Sequence, residues 1–134
     1  MKRNTPLVPQ IHYLNTDLEI TSDADLRPLV AAFEARGVHP LYVGESETGW
    51  RATLETYDER RTPETTIVAL LKAIKALPIP MRKLWIGCRK REFDIGYECG
   101  DEPWAYNQAL SPNVVARVAS VGAGIRITLY PHRE

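Results

Sequence analysis

CRKREFDIGYECGDEPWAYNQAL, residues 88–110, decides how many strands the C-terminal half of the chain contributes. Phe93, Ile95, Tyr97 and Cys99 alternate with polar neighbours, the period of a half-buried strand. The preceding KLWIGC, residues 83–88, shows the same period with Leu84, Ile86 and Cys88, so the intervening RKRE reads as a hairpin loop. The turn GDEP at 100–103 then separates the second strand from a third, WAYNQAL at 104–110, whose bulky Trp104, Tyr106 and Gln108 alternate with Ala105, Asn107 and Ala109.

Outward from this stretch the chain alternates strands and capped helices. HYLNTDLEIT (12–21) places Leu14, Thr16, Leu18 and Ile20 on one side of a strand. A helix follows, carrying Leu26, Leu29, Val30 and Phe33 and stopping at Gly37. Ser22 and Asp25 form an acidic capping box, and Pro28 favours a tight first turn or a later start capped by Asp25. VHPLYV (38–43) and WRATLETY (50–57) flank a polar turn and read as a hairpin, with Pro40 at an edge or a strand start. Thr62 and Pro63 open a second helix, which Pro78 and Pro80 end; Ser111 and Pro112 open a third, which Gly122 ends. GIRITLY (124–130) closes the chain as a strand.

The element order predicted is β-α-β-β-α-β-β-β-α-β, a single α+β domain over residues 1–134 with a loose segment at 1–10. Three helices are expected on one face of a mainly antiparallel sheet. LEITS, helix, RGVHPLYV in the first third resembles NQALS, helix, VGAGIRITLY in the last, which suggests two similar strand-helix-strand halves.

At 134 residues the chain can bury a core without disulfides or a structural metal. Its 17 basic and 17 acidic side chains cancel, which argues against a nucleic-acid binder or a partner of anionic membranes. MKRNTPLVPQ has no apolar run after its two charges, so a cytoplasmic protein is expected rather than an exported or anchored one. No cofactor motif occurs: there is no GxGxxG, P-loop or GxSxG, and VGAGI falls between a helix and a strand, the wrong order for a phosphate cradle. His12, His39 and His132 sit at strand ends without the spacing of a metal site, and no metal is expected.

If RKRE is the hairpin loop, Cys88 and Cys99 lie roughly 20 Å apart, too far for a disulfide, and both read as small buried hydrophobes. Glu92, Asp94 and Glu98 share the polar face of one strand, with Gly96 as a gap. Asp94 and Glu98 stand about 13 Å apart, beyond any glycosidase carboxylate pair. A partner for either could come from Asp101, Glu102, or Asp17 and Glu19 of the first strand, none of which the sequence positions. The bland reading has the basic RKLWIGCRKR (82–91) facing the acidic EFDIGYECGDE (92–102) across a hairpin, as register-fixing surface pairs. Trp104 and Tyr106 either pack on the third helix or border a concave face made of Asn107, Asp94 and Gly96.

REFDIGYECGDEPWAYNQALS (91–111), GAGIRITLYP (122–131) and LNTDLEITSDADLRPLVAAFEARG (14–37) together resemble an uncharacterised bacterial family, domain of unknown function 4279. The resemblance covers most of the chain and carries over no reaction or catalytic residue. Some relatives are associated with toxin-immunity settings, which implies a protein-binding role.

Three functions are therefore expected, in this order. The first is a non-enzymatic interaction domain, immunity-like, that meets a protein partner through Asp94, Glu98, Asp101 and Glu102 with Trp104 as an aromatic anchor. The second is a small hydrolase or isomerase with Asp94 or Glu98 as general base and Tyr106 or Arg91 steadying negative charge, provided these groups converge on one pocket. The third is a ligand-sensing regulatory domain with a pocket between the two halves.

Overall fold

A computed structural model describes residues 8–57 and 62–133. Among them run β1 (His12–Ser22), α1 (Arg27–Glu34), β2 (Val38–Ser46), β3 (Gly49–Thr56), α2 (Pro63–Lys75), α3 (Ile79–Ile86), β4 (Lys90–Glu98), α4 (Pro112–Ser120) and β5 (Gly124–Tyr130). The five strands form one sheet in the order β2-β3-β1-β4-β5. Every pairing is antiparallel except β4 with β5, which α4 connects as a crossover. The fold is α+β, as expected, with four helices rather than three.

Alternation along the strands builds the core. Leu18 and Ile20 of β1, Ala52 and Leu54 of β3, and Phe93 and Ile95 of β4 are buried in one hydrophobic cluster with Leu29, Val30 and Phe33 of α1 and Ile67, Leu70 and Leu71 of α2. Each large side chain buried in this way stabilises the fold by about 1.5–3 kcal/mol. Leu14 departs from the predicted alternation: the β1–β4 register shifts between Tyr13 and Asn15, and Leu14 is left 43% exposed. Tyr13 takes the inward role, its hydroxyl bonded to Thr16 Oγ1 at 2.7 Å and to Thr66 Oγ1 at 3.1 Å.

The caps of α2 and α4 follow the sequence closely. Thr62 Oγ1 accepts from the Thr65 amide at 3.1 Å, Ser111 Oγ accepts from the Val114 amide at 3.2 Å, and a proline follows each cap. The first helix starts late, at Arg27, with Leu26 as its N-cap and no side-chain cap bond, so neither the Ser22–Asp25 capping box nor a cap by Asp25 is formed. Asp25 Oδ1 accepts from the Arg27 amide at 2.8 Å, while Ser22 Oγ serves the Ala24 amide at 3.0 Å. Gly37 and Gly122 adopt φ values of 80° and 74°, the left-handed conformation that stops the helices before them. The β2–β3 hairpin closes at Ser46 opposite Gly49, and β2 with its Pro40 is an edge strand.

Two predicted strands are not strands. KLWI belongs to α3, which follows Pro78 in extended conformation and carries Pro80 in its first turn; Gly87 is its C-cap and Cys88 lies just beyond. Met81, Leu84, Trp85 and Cys88 recur at helical spacing against the core, and this pattern prevails over the competing alternation because it buries Trp85, 4% exposed, at the cost of leaving Ile86 72% exposed. WAYNQAL has no regular structure: both sides of β4, the strand it was expected to follow in a hairpin, are taken by β1 and β5. The RKRE hairpin and the basic-on-acidic strand pair built on it therefore do not exist. The proposed likeness of the two halves also lapses at NQAL, since β5 pairs directly with β4. Residues 1–7 of the expected loose segment lie outside the described residues; beyond them, the Pro9 carbonyl accepts from the Asp101 amide at 2.8 Å.

Candidate functional site

The sheet has a helix-covered face and an open one, and strand alternation sorts the charges onto the open face. On β4, Phe93, Ile95 and Tyr97 are buried, so Glu92, Asp94, Gly96 and Glu98 point the other way. Register brings Asn15, Asp17 and Glu19 of β1, Thr53 and Glu55 of β3, and Arg126, Thr128 and Tyr130 of β5 onto the same surface. Asp17 stands directly opposite Asp94, and Glu19 opposite Glu92. Like charges placed opposite each other are destabilising unless something intervenes.

The two pairs are treated differently. Arg126 spans the Glu19–Glu92 pair, with Nη1 3.0 Å from Glu19 Oε2 and Nη2 2.6 Å from Glu92 Oε1. Lys90 adds a contact of 3.3 Å to Glu92. The Asp17–Asp94 pair receives only neutral donors: Asn15 Nδ2 donates to Asp17 Oδ1 at 3.0 Å, and Thr128 Oγ1 donates to Asp94 Oδ1 at 2.6 Å. Burial, and then the negative charges of Glu55, Asp94 and Glu19, push the Asp17 carboxyl up to about 7. Glu98, farther along β4, is flanked by His132 Nδ1 at 3.0 Å and His12 Nε2 at 3.9 Å.

Asp94 and Glu98 thus share one face, as their spacing predicts, but Gly96 is not an empty gap. A Cβ there would meet Asn15 Oδ1 at 3.1 Å and Tyr130 Cε2 at 3.4 Å, so the chain's own side chains already cover it. Asp101 and Glu102 are exposed beyond the end of β4, where Glu102 Oε1 accepts from Gln10 Nε2 at 3.0 Å. Trp104 packs on no helix and is 100% exposed.

Arg91 and Tyr106 do not join the carboxylates. Arg91 lies on the helix side, where its guanidinium donates to the carbonyls of Trp85 and Cys88 at 2.8 Å, Gly122 at 3.0 Å and Ile86 at 3.1 Å. Tyr106 packs edge-on against Tyr97, centroids 5.6 Å apart, and its hydroxyl donates to Gln108 Oε1 at 3.2 Å. The segment holding Asn107 therefore lies against the face opposite Asp94, and the concave surface expected from Asn107, Asp94 and Gly96 is not formed. The pocket in which a general base, Tyr106 and Arg91 were to converge is absent for the same reason.

Both cysteines are free. Cys88 is buried at the end of α3 with Sγ donating to Leu84 O at 3.3 Å, and burial raises its thiol pKa. Cys99 is half-buried.

The residues that sequence reasoning left unplaced are Asp17, Glu19, Arg126 and Thr128. Alternation put the first two on the polar face of their strand, but only the β1–β4 and β4–β5 pairings set them beside Asp94 and Glu92. Among the described residues, no cluster of three or more His, Cys, Asp or Glu side chains is arranged to hold a metal ion, and no helix is long and apolar enough to cross a membrane. The chain matches no family model, no curated protein and no solved structure.

Proposed function

We propose that this protein is a non-enzymatic interaction domain that receives a cationic segment of a protein partner on its open sheet face. The observation that carries this reading is the Asp17–Asp94 pair, two carboxylates opposite each other that make no ion pair among the described residues. A guanidinium or ammonium from a partner would do for that pair what Arg126 does for Glu19 and Glu92. Glu98, Asp101 and Glu102 continue the acidic character to the end of β4. Fully exposed Trp104 supplies the kind of aromatic anchor that dominates binding energy at interfaces. The immunity-type role that the family resemblance implies belongs to the same class. Affinity capture from a native lysate tests it: a protein retained by the wild type should be lost with D17N/D94N and with W104A. Recovery of no such protein, or its equal retention by the variants, overturns the proposal.

A second reading, a small hydrolase or isomerase, draws support from Asp17 alone, whose pKa near 7 suits a general base. It would need an electrophilic partner other than Arg91 or Tyr106. Turnover of ester or keto-enol test substrates that disappears in D17N, with a rate rising through pH 7, would favour it over the binding reading.

A further inference from the structure

On the helix side of the sheet, remote from the carboxylates, lies a cavity of about 540 Å³ lined by Leu71, Ile74 and Lys75 of α2, Arg82, Trp85 and Ile86 of α3, Arg91 of β4, Arg117 and Ser120 of α4, and Val121 and Gly122 just after it. Its volume falls within the ~300–1,000 Å³ of small-molecule sites. All of its ionisable lining residues, Lys75, Arg82, Arg91 and Arg117, are cations, in a chain whose 17 basic and 17 acidic side chains cancel overall.

Part of this charge serves the fold. The C-terminal ends of α2, α3 and α4 meet here, and helix ends leave carbonyls without partners. Arg82 donates to the carbonyls of Leu77 and Lys75, and Arg91 to those of Trp85, Ile86, Cys88 and Gly122. Those two guanidiniums are therefore committed. Lys75 and Arg117 are not: among the described residues neither side chain pairs with a carboxylate or a carbonyl. The same cavity is lined by Leu71, Ile74 and Trp85, which are themselves buried in the core, and its accessible apolar surface comes from half-buried Val121 and from Ile86, 72% exposed. Uncommitted positive charge beside uncovered apolar surface is the arrangement that recognises an anion with a hydrocarbon body.

We propose that this cavity is a binding site for a small amphipathic organic anion, a carboxylate or sulfonate carrying an acyl or aromatic body, held by Lys75 and Arg117 with its apolar part on Ile86 and Val121. The site is separate from the acidic sheet face, so its occupancy does not depend on the partner proposed there.

Decanoate titrated into the isotope-labelled full chain, followed by amide and indole NMR, tests this. The Trp85 indole N–H, which donates to Val121 O at 3.0 Å, reports on the cavity directly. Saturable shifts are expected at that indole and at the amides of Ile86, Val121 and Gly122, with affinity falling at least about tenfold in K75E/R117E and at least about tenfold for 1-decanol in place of decanoate. An unchanged melting temperature establishes that the double variant is folded; if it is not, K75Q and R117Q replace it. D17N should bind decanoate as the wild type does. Absence of saturable shifts at these positions, equal binding of decanol, or undiminished binding after removal of both cations overturns the proposal.

Discussion

Asp17 of β1 and Asp94 of β4 face each other across an antiparallel ladder and, among the described residues, take side-chain hydrogen bonds from Asn15 and Thr128 alone. Because the folded-state pKa of Asp17 is about 7 against an ordinary value of 3.8, the folded chain holds an extra proton between those values. Stability falls as pH rises through that window and levels off above it; the cost is absent below 3.8 and complete above about 7. Glu19, Glu55 and Asp94 all face the group with the same sign. Asp17→Asn is therefore expected to stabilise the protein at pH 8 by about 1–2 kcal/mol, after allowance for solvent screening, and to leave stability at pH 4 unchanged. Urea unfolding at the two pH values checks this; an equal effect at both would show that charge is not the cause.

Trp104, wholly exposed, makes no contribution to packing that its removal could abolish. Trp104→Ala should change unfolding free energy by less than about 0.5 kcal/mol while weakening partner capture. Circular dichroism melting and the affinity experiment, run on the same preparation, separate the two effects.

Arg91 acts on the fold rather than on a substrate. Its guanidinium satisfies the carbonyls of Trp85, Ile86, Cys88 and Gly122, which tie the end of α3 to the turn after α4. Arg91→Ala should cost about 2–3 kcal/mol. Arg91→Lys should recover only part of that, because an ammonium lacks the planar fork. Chemical denaturation of the three proteins gives the values directly.

The two thiols should react at different rates. Cys88 is 5% exposed and its pKa is raised by burial, whereas Cys99 is half-buried. Labelling with Ellman's reagent in native buffer should modify Cys99 first and Cys88 only on unfolding, as peptide mass spectrometry would show. Faster modification of Cys88 would contradict the packing of α3.

β5 is an edge strand whose Ile127 and Leu129 are each 64% exposed. Such edges promote association between chains, and a lysine is a common defence. Ile127→Lys is expected to leave the melting temperature nearly unchanged and to raise the concentration at which light scattering first increases.

The local devices were legible from residue order alone. The caps at Thr62 and Ser111, the glycine stops at Gly37 and Gly122, the hairpin of β2 and β3, and the alternation of β4 all depend on neighbours within a few residues. Residues 83–88 and 104–110 were not settled in this way. Leu84, Ile86 and Cys88 fit a strand while Met81, Leu84, Trp85 and Cys88 fit a helix, and only burial against the core chooses between the two periods. WAYNQAL has the alternation of a strand, but β1 and β5 occupy both sides of β4.

The candidate site divides along the same line. That Asp94 and Glu98 share a face, and that Asp17 and Glu19 lie on the polar side of their strand, follows from the period of two and needs no tertiary information. That Asp17 meets Asp94, that Arg126 takes up Glu19 and Glu92, and that Arg91 turns to the helix ends required the long-range pairings of β1 and β5 with β4. Sequence by itself determined which way the side chains of β4, and those of β1 beyond the irregularity at Leu14, leave their strands, because backbone geometry is local. Which charges then face one another was decided by the tertiary structure, because strand register depends on burying the whole sheet's apolar face at once.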